Sequence, residues 1–248
     1  MHLLATALGL SLLGSFGGLL VASALLLFNE SLRTRLVPWL VSYAVGALLG
    51  ASLLGLLPEA LAELPPQQVL ASLLAGIVLF FMLEKLVLLR HCHTDHCQVH
   101  GAAAQLVILG DAFHNFIDGA IIAAAVLTSV PLGVNTAIAV AAHEIPQEVG
   151  DVAILLAAGY SRGGALLLNL VSGASGLLGA LLAYAAVGVV PGIRPFILAF
   201  SSASLLYIAM SDLIPDLHRG QLDASGVRQV VLIAAGIFTI VGFERLLG

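Results

Sequence analysis

Two stretches decide how this chain is read: D-A-F-H-N-F-I-D-G at 111–119 and H-E-I-P-Q-E-V-G-D at 143–151. Each lies inside a long apolar segment, and each concentrates side chains that bind cations. On a helix, His114 and Asp118 are four residues apart and Asn115 and Asp118 three apart, so they share one face. His143 with Gln147, and Glu144 with Glu148, repeat that spacing in the second stretch. Asp111 and Asp151 sit one turn beyond, at the start of the first motif and the end of the second.

The surroundings of these motifs set the class of protein. Of 248 residues, 60% are hydrophobic and only 9% charged, where a soluble domain carries about a quarter. Mean hydropathy is +1.10. The chain is therefore expected to be an all-α, polytopic membrane bundle with the lipid bilayer as its solvent. The net charge of −5 comes with no basic stretch, which excludes nucleic acid as a partner. Cys92 and Cys97 fall in one short polar loop, so no disulfide framework is expected. The opening segment, 2–28, lacks a positive start and exceeds the roughly 7–15 apolar residues of a secretory signal, and is read as the first span.

A bilayer core needs about 20 apolar residues per helix. Segments of that length fall at 2–28, 36–62, 68–90, 104–128, 133–158, 164–187, 195–217 and 226–247. About eight transmembrane helices are expected, in a single domain covering 1–248. Arg33, Arg35, Lys85, Arg90, Arg162, Arg219 and Arg228 lie at odd-numbered loops, against Arg194 and Arg245 on the other side. Positive charge accumulates in the cytoplasm, so the reading places both termini outside and the membrane as the plasma membrane.

L-L-P-E-A-L at 56–61 and L-I-P-D-L at 213–217 punctuate the second and second-last spans alike. That match fits a 3+2+3 inverted repeat around the central helix pair, a common plan for transporters. Small-residue series at Gly14 and Gly18, Gly46 and Gly50, and Gly173, Gly176 and Gly179 allow close helix approach. Intramolecular packing is their first use and a homodimer face the second.

Energetics give the central motifs their meaning. A carboxylate at the bilayer centre costs about 2.5–3.5 kcal/mol on insertion scales. Two adjacent spans hold Asp111, Asp118, Glu144, Glu148 and Asp151 with no lysine or arginine between them. Protonation of some of these acids would relieve that charge, because burial and like charge disfavour ionised carboxylates; a bound divalent cation is the economical alternative. Imidazole with carboxylate and amide oxygen suits zinc, ferrous iron, manganese or cobalt. Pro146 lacks an amide hydrogen and frees the carbonyl of Ala142, which lipid-depth backbone tolerates only beside a polar cavity.

H-N-F-I-D-G together with H-E-I-P-Q-E-V-G-D resembles the paired signatures of the ZIP (Zrt/Irt-like) family of metal-ion transporters. The resemblance extends over the eight-span layout and the His-rich third loop. It implies that His114, Asn115 and Asp118 with His143, Glu144 and Gln147 form a binuclear or single metal centre, with Glu148 from the subfamily form of the motif. It places Asn169 and Asp212 along the pathway, with Asp111, Asp151 and Glu59 as further pathway candidates. It implies no organic cofactor: the metal is cargo, zinc first, with iron, manganese or cadmium as alternatives, moving into the cytoplasm. The chain departs from the family at Asp118, where many members carry glutamate, and at Gln147, where members often carry histidine or glutamate.

Two other function classes fit the residues less well. His143-Glu144 opens like the H-E-x-x-H zinc-protease motif, but Gln147 stands where the second imidazole is needed, so the chain is not expected to be an enzyme. A proton-coupled carrier of another cation would use the acids and leave the paired histidines unexplained. The polar segment 91–103, H-C-H-T-D-H-C-Q-V-H and its continuation, is read as a cytoplasmic His-rich loop. His91, Cys92, His93, His96 and Cys97 are its candidate metal ligands, with spacing that matches no closed zinc finger.

Overall fold

Apolar side chains turned outward and polar ones turned inward define the architecture. In the computed structural model, Leu20, Leu74 and Phe238 are largely exposed, while Asp118, His143, Glu144 and Glu148 are fully buried. A water-soluble fold does the reverse. The structure describes residues 2–25, 27–28, 30–89, 99–190, 192–219 and 225–247. The candidate loop ligands His91, Cys92, His93, His96 and Cys97 lie outside the described residues.

Eleven α-helices and two π-helical segments build eight rods among the described residues. They are α1 (His2–Leu25), α2 (Glu30–Gly50) leading through a π-helix (Ala51–Leu56) into α3 (Leu57–Glu63), and α4 (Pro66–Leu89). Next come α5 (Val99–Thr128), α6 (Val130–Ala157), and α7 (Arg162–Gly173) continued by α8 (Ser175–Val189). The last two rods are α9 (Arg194–Tyr207) with a π-helix (Ile208–Leu213) and α10 (Ile214–Arg219), then α11 (Ser225–Leu247). The expected spans are all present, with ends displaced by a few residues. Two starts differ most: α2 begins at Glu30 and α5 at Val99, so the last part of the expected 91–103 loop is helical.

Seven of the rods contain a stretch long and apolar enough to cross a bilayer. The eighth, α6, carries Glu144, Glu148 and Asp151 on an otherwise apolar helix. Those acids lower its hydropathy because it holds the site, and its neighbours bury the charged face.

The two π-helices fall at equivalent places. Each immediately precedes a helix whose second residue is proline, Pro58 in α3 and Pro215 in α10. Proline removes a backbone donor, and a π-turn is one way for a helix to absorb the mismatch. The packing follows the same symmetry. The second rod packs on α11 as the seventh packs on α4, and α1 packs on α6 as α8 packs on α5. Exchanging the first three rods with the last three, and α5 with α6, maps these contacts onto one another.

Glycine lets backbones touch at two crossings. A Cβ on Gly179 would lie 1.8 Å from the carbonyl oxygen of Phe116, and one on Gly46 would lie 2.0 Å from that of Ile233. The first crossing seats α8 against α5 beside the site, and the second locks α2 to α11. Between α2's π-helix and α9, Ser52 and Ser202 form a buried clasp, Oγ to Oγ at 2.6 Å, with each hydroxyl also near the other's carbonyl.

Candidate metal centre

A one-residue connection sets the two motif helices face to face. α5 ends at Thr128 and α6 starts at Val130, with Ser129 between them accepting a hydrogen bond from the Leu132 amide. Pro131 occupies the first turn, where its missing N–H is harmless. The helices therefore run antiparallel and adjacent, and the His114 face of one meets the His143 face of the other.

At that meeting the Nε2 atoms of His114 and His143 are 2.9 Å apart. Asp118 Oδ2 lies 3.1 Å from His143 Nε2 and 3.5 Å from His114 Nε2. Glu144 Oε1 lies 3.6 Å from His114 Nε2 and 4.0 Å from His143 Nε2. Donor atoms of all four residues fall within 4.8 Å of one another. Zinc bonds to nitrogen at about 2.0–2.1 Å in a tetrahedron, which separates neighbouring ligand atoms by roughly 3.3 Å. The four side chains stand close to those edges. His143 Nδ1 is 3.1 Å from the carbonyl of Ala139; an N–H donated there leaves the lone pair on Nε2, facing the other three donors.

A second group adjoins the first through Glu144. Asp111, Glu144 and Glu148 also bring carboxylate oxygens within 4.8 Å of one another. Asp111 accepts from Asn115 Nδ2 at 3.0 Å and Gln147 Nε2 at 3.2 Å, and from the hydroxyl of Ser172. By contrast, both oxygens of Asp118, Glu144 and Glu148 are buried without an ordinary hydrogen-bond donor. Buried carboxylates in that condition are rare unless a cation or unseen partner satisfies them. Asn169 is fully buried on α7, beside Glu148.

Other expected residues divide by side. A cavity of about 570 Å³ reaches His114, His143 and Gln147 and is also lined by Asp151, Asp212 and Glu84. Its lining runs along the later halves of α4, at Phe80, Leu83 and Glu84, and of α6, at Gly150, Asp151 and Ile154. Glu59 lies on the other side of the centre, in α3, away from this cavity. On that opposite side Arg194 bonds Glu63 at 2.7 and 3.1 Å, and its third nitrogen reaches the Leu127 carbonyl at 3.4 Å. The guanidinium thereby joins the ends of α3, α5 and α9.

Ser172 was missed by sequence reasoning. The signal was its place three residues after Asn169, on the same helical face. Glu84 was missed as well; it bonds the hydroxyl of Tyr207 at the cavity mouth, and nothing in its own neighbourhood of sequence marks it.

The described residues form a polytopic helical bundle whose two central spans bring His114, Asp118, His143 and Glu144 together beside a cavity, an arrangement that could hold a metal ion inside a membrane protein. Comparison with known proteins agrees. A family model described as ZIP Zinc transporter matches residues 89–244. Zinc transporter ZIP13 of Pongo abelii is 37% identical, over 86% of this chain and 70% of its own length. Zinc transporter ZIP13 of Homo sapiens is 33% identical, over 86% and 73%. Zinc transporter ZIP4 of Homo sapiens is 44% identical over a shorter region, 44% of this chain and 17% of its own length. The chain belongs to the ZIP zinc transporter family, whose members are carriers of metal ions and not enzymes.

Proposed function

We propose that this chain carries divalent transition-metal ions, zinc first, into the cytoplasm, and that the ion is held between α5 and α6. The observation that carries the reading is the convergence of His114, Asp118, His143 and Glu144 on one small volume. Two imidazole nitrogens and two carboxylate oxygens suit zinc and also accept iron, manganese or cadmium. The names of the relatives, all zinc transporters, support zinc as the first cargo.

The ion sheds water at the centre and leaves through the cavity lined by Asp151, Asp212 and Glu84. That cavity opens on the side where lysine and arginine accumulate, which supports exit to the cytoplasm. Proton and metal compete for the same carboxylates, so protonation of Asp118 or Glu144 helps release the ion.

The test is metal content and uptake together. Purified protein dialysed against zinc, manganese, iron and cadmium should retain zinc preferentially, and His114→Ala and Asp118→Ala should lose both retention and uptake. Retention and uptake that survive in both variants would remove the cargo site from these helices.

A further inference from the structure

We propose that Gln147 sets ion selectivity by positioning Asp111, and is not itself a ligand of the ion. The inference rests on the reading of the α5–α6 centre given above and assigns one of its residues a different task.

Gln147 turns its amide nitrogen to Asp111 Oδ1 at 3.2 Å. Asp111 Oδ1 already accepts from Asn115 Nδ2, whose orientation the Asp111 carbonyl fixes, and an amide nitrogen from Gln147 completes the same acceptor. The neighbouring group needs no further donor, because His114, Asp118, His143 and Glu144 already supply four, the usual number for zinc.

Asp111 is the point where three helices meet. Asn115 donates from α5, Gln147 from α6 and Ser172 from α7. Neither of the other two donors reaches α6: Asn115 gives its two amide hydrogens to Asp111 itself, at the side chain and at the carbonyl 3.2 Å away, and the single Ser172 proton is shared with the Asn169 carbonyl at 3.1 Å within α7. Gln147 is thus the tie between Asp111 and the helix that carries Glu144 and Glu148. These three carboxylates form the all-oxygen group, and its dimensions depend on that tie.

The two groups differ in chemistry. The one with imidazoles favours zinc, and carboxylates alone favour harder ions such as manganese. Loosening Asp111 weakens the oxygen group and leaves the imidazole group intact. Gln147 therefore acts on the ratio of manganese to zinc rather than on zinc alone.

The experiment is competitive uptake of radiozinc and radiomanganese into proteoliposomes by the native chain, Gln147→Leu, Asp111→Asn and the double variant. Gln147→Leu should lower manganese relative to zinc by about tenfold, the scale of one hydrogen bond to a charged group. In the Asp111→Asn background the same substitution should change the ratio no further, because the amide left there offers no carboxylate for Gln147 to position. Effects that multiply in the double variant, or an unchanged ratio in Gln147→Leu, would overturn the proposal.

Cobalt absorption spectra of the purified proteins give a readout independent of transport. Bands of unchanged position and intensity in Gln147→Leu are expected, and a changed ligand field would make Gln147 a ligand. Should Gln147→Leu fail to accumulate, Gln147→Ala removes the donor without adding a ligand or a charge and answers the same questions. If His143→Ala retains full flux, the reading of the centre fails whatever Gln147 does.

Discussion

Replacing Gly179 with alanine should damage the proposed metal centre without touching any residue in it. The added Cβ would lie 1.8 Å from the carbonyl oxygen of Phe116 and 3.2 Å from the Ala120 nitrogen. Both are backbone atoms of α5, so no side chain can rotate away. Ordinary contact begins near 3.4 Å, so α8 and α5 must separate by about 1.6 Å in a packed interior that resists such gaps. Phe116 lies between His114 and Asp118. A shift of that size moves both relative to His143, whose Nε2 is now 3.1 Å from Asp118, and takes the set beyond the bond lengths a metal accepts. Overpacking of this kind costs about 1–3 kcal/mol, which lowers Tm by several degrees in a chain of this size. The control is Gly188→Ala on the same helix, where nothing lies within 4 Å and alanine should gain up to about 1 kcal/mol from helix propensity. Thermal unfolding in detergent and zinc uptake normalised to membrane abundance are the assays. Gly179→Ala with native Tm and native uptake would refute the claim that this crossing positions the centre.

Three further outcomes are expected. Ser52→Ala and Ser202→Ala should each lower stability by about 0.5–1.5 kcal/mol by removing the hydroxyl–hydroxyl bond while the remaining hydroxyl keeps the opposite carbonyl, and the double variant should lose less than the two singles together; equal additive losses in denaturation would argue against a shared clasp. Zinc at 100 times its Kd should stabilise the native protein by about 2.7 kcal/mol, visible as a raised Tm, with no rise in a variant lacking both His114 and His143. Single cysteines at the two chain ends should be labelled from the outside of intact cells by an impermeant reagent, and labelling only after lysis would reverse the orientation.

Much of the candidate site was legible because buried carboxylates are expensive in a membrane. His114, Asp118, His143 and Glu144 could be named from helical spacing and the absence of any lysine or arginine in α5 and α6. Their common volume follows from the one-residue turn at Ser129, which the sequence marks with serine and proline. Partners supplied by distant helices were not legible. Ser172 reaches Asp111 only because α7 packs on α5, and Glu84 meets Tyr207 across 123 residues. The resemblance to the family placed Gln147 among the ligands; its bond to Asp111 needed coordinates. The repeat was visible only as two proline-acid matches. Its physical content, a π-helix before each proline and mirrored packing, depends on backbone hydrogen bonds that spacing does not encode.

Uptake of radiozinc into proteoliposomes by the native chain and by His143→Ala tests the central claim most directly. Zinc flux above empty-vesicle background that collapses in the variant, at equal protein incorporation, is the expected result. Flux that persists undiminished in His143→Ala would contradict a cation site between α5 and α6.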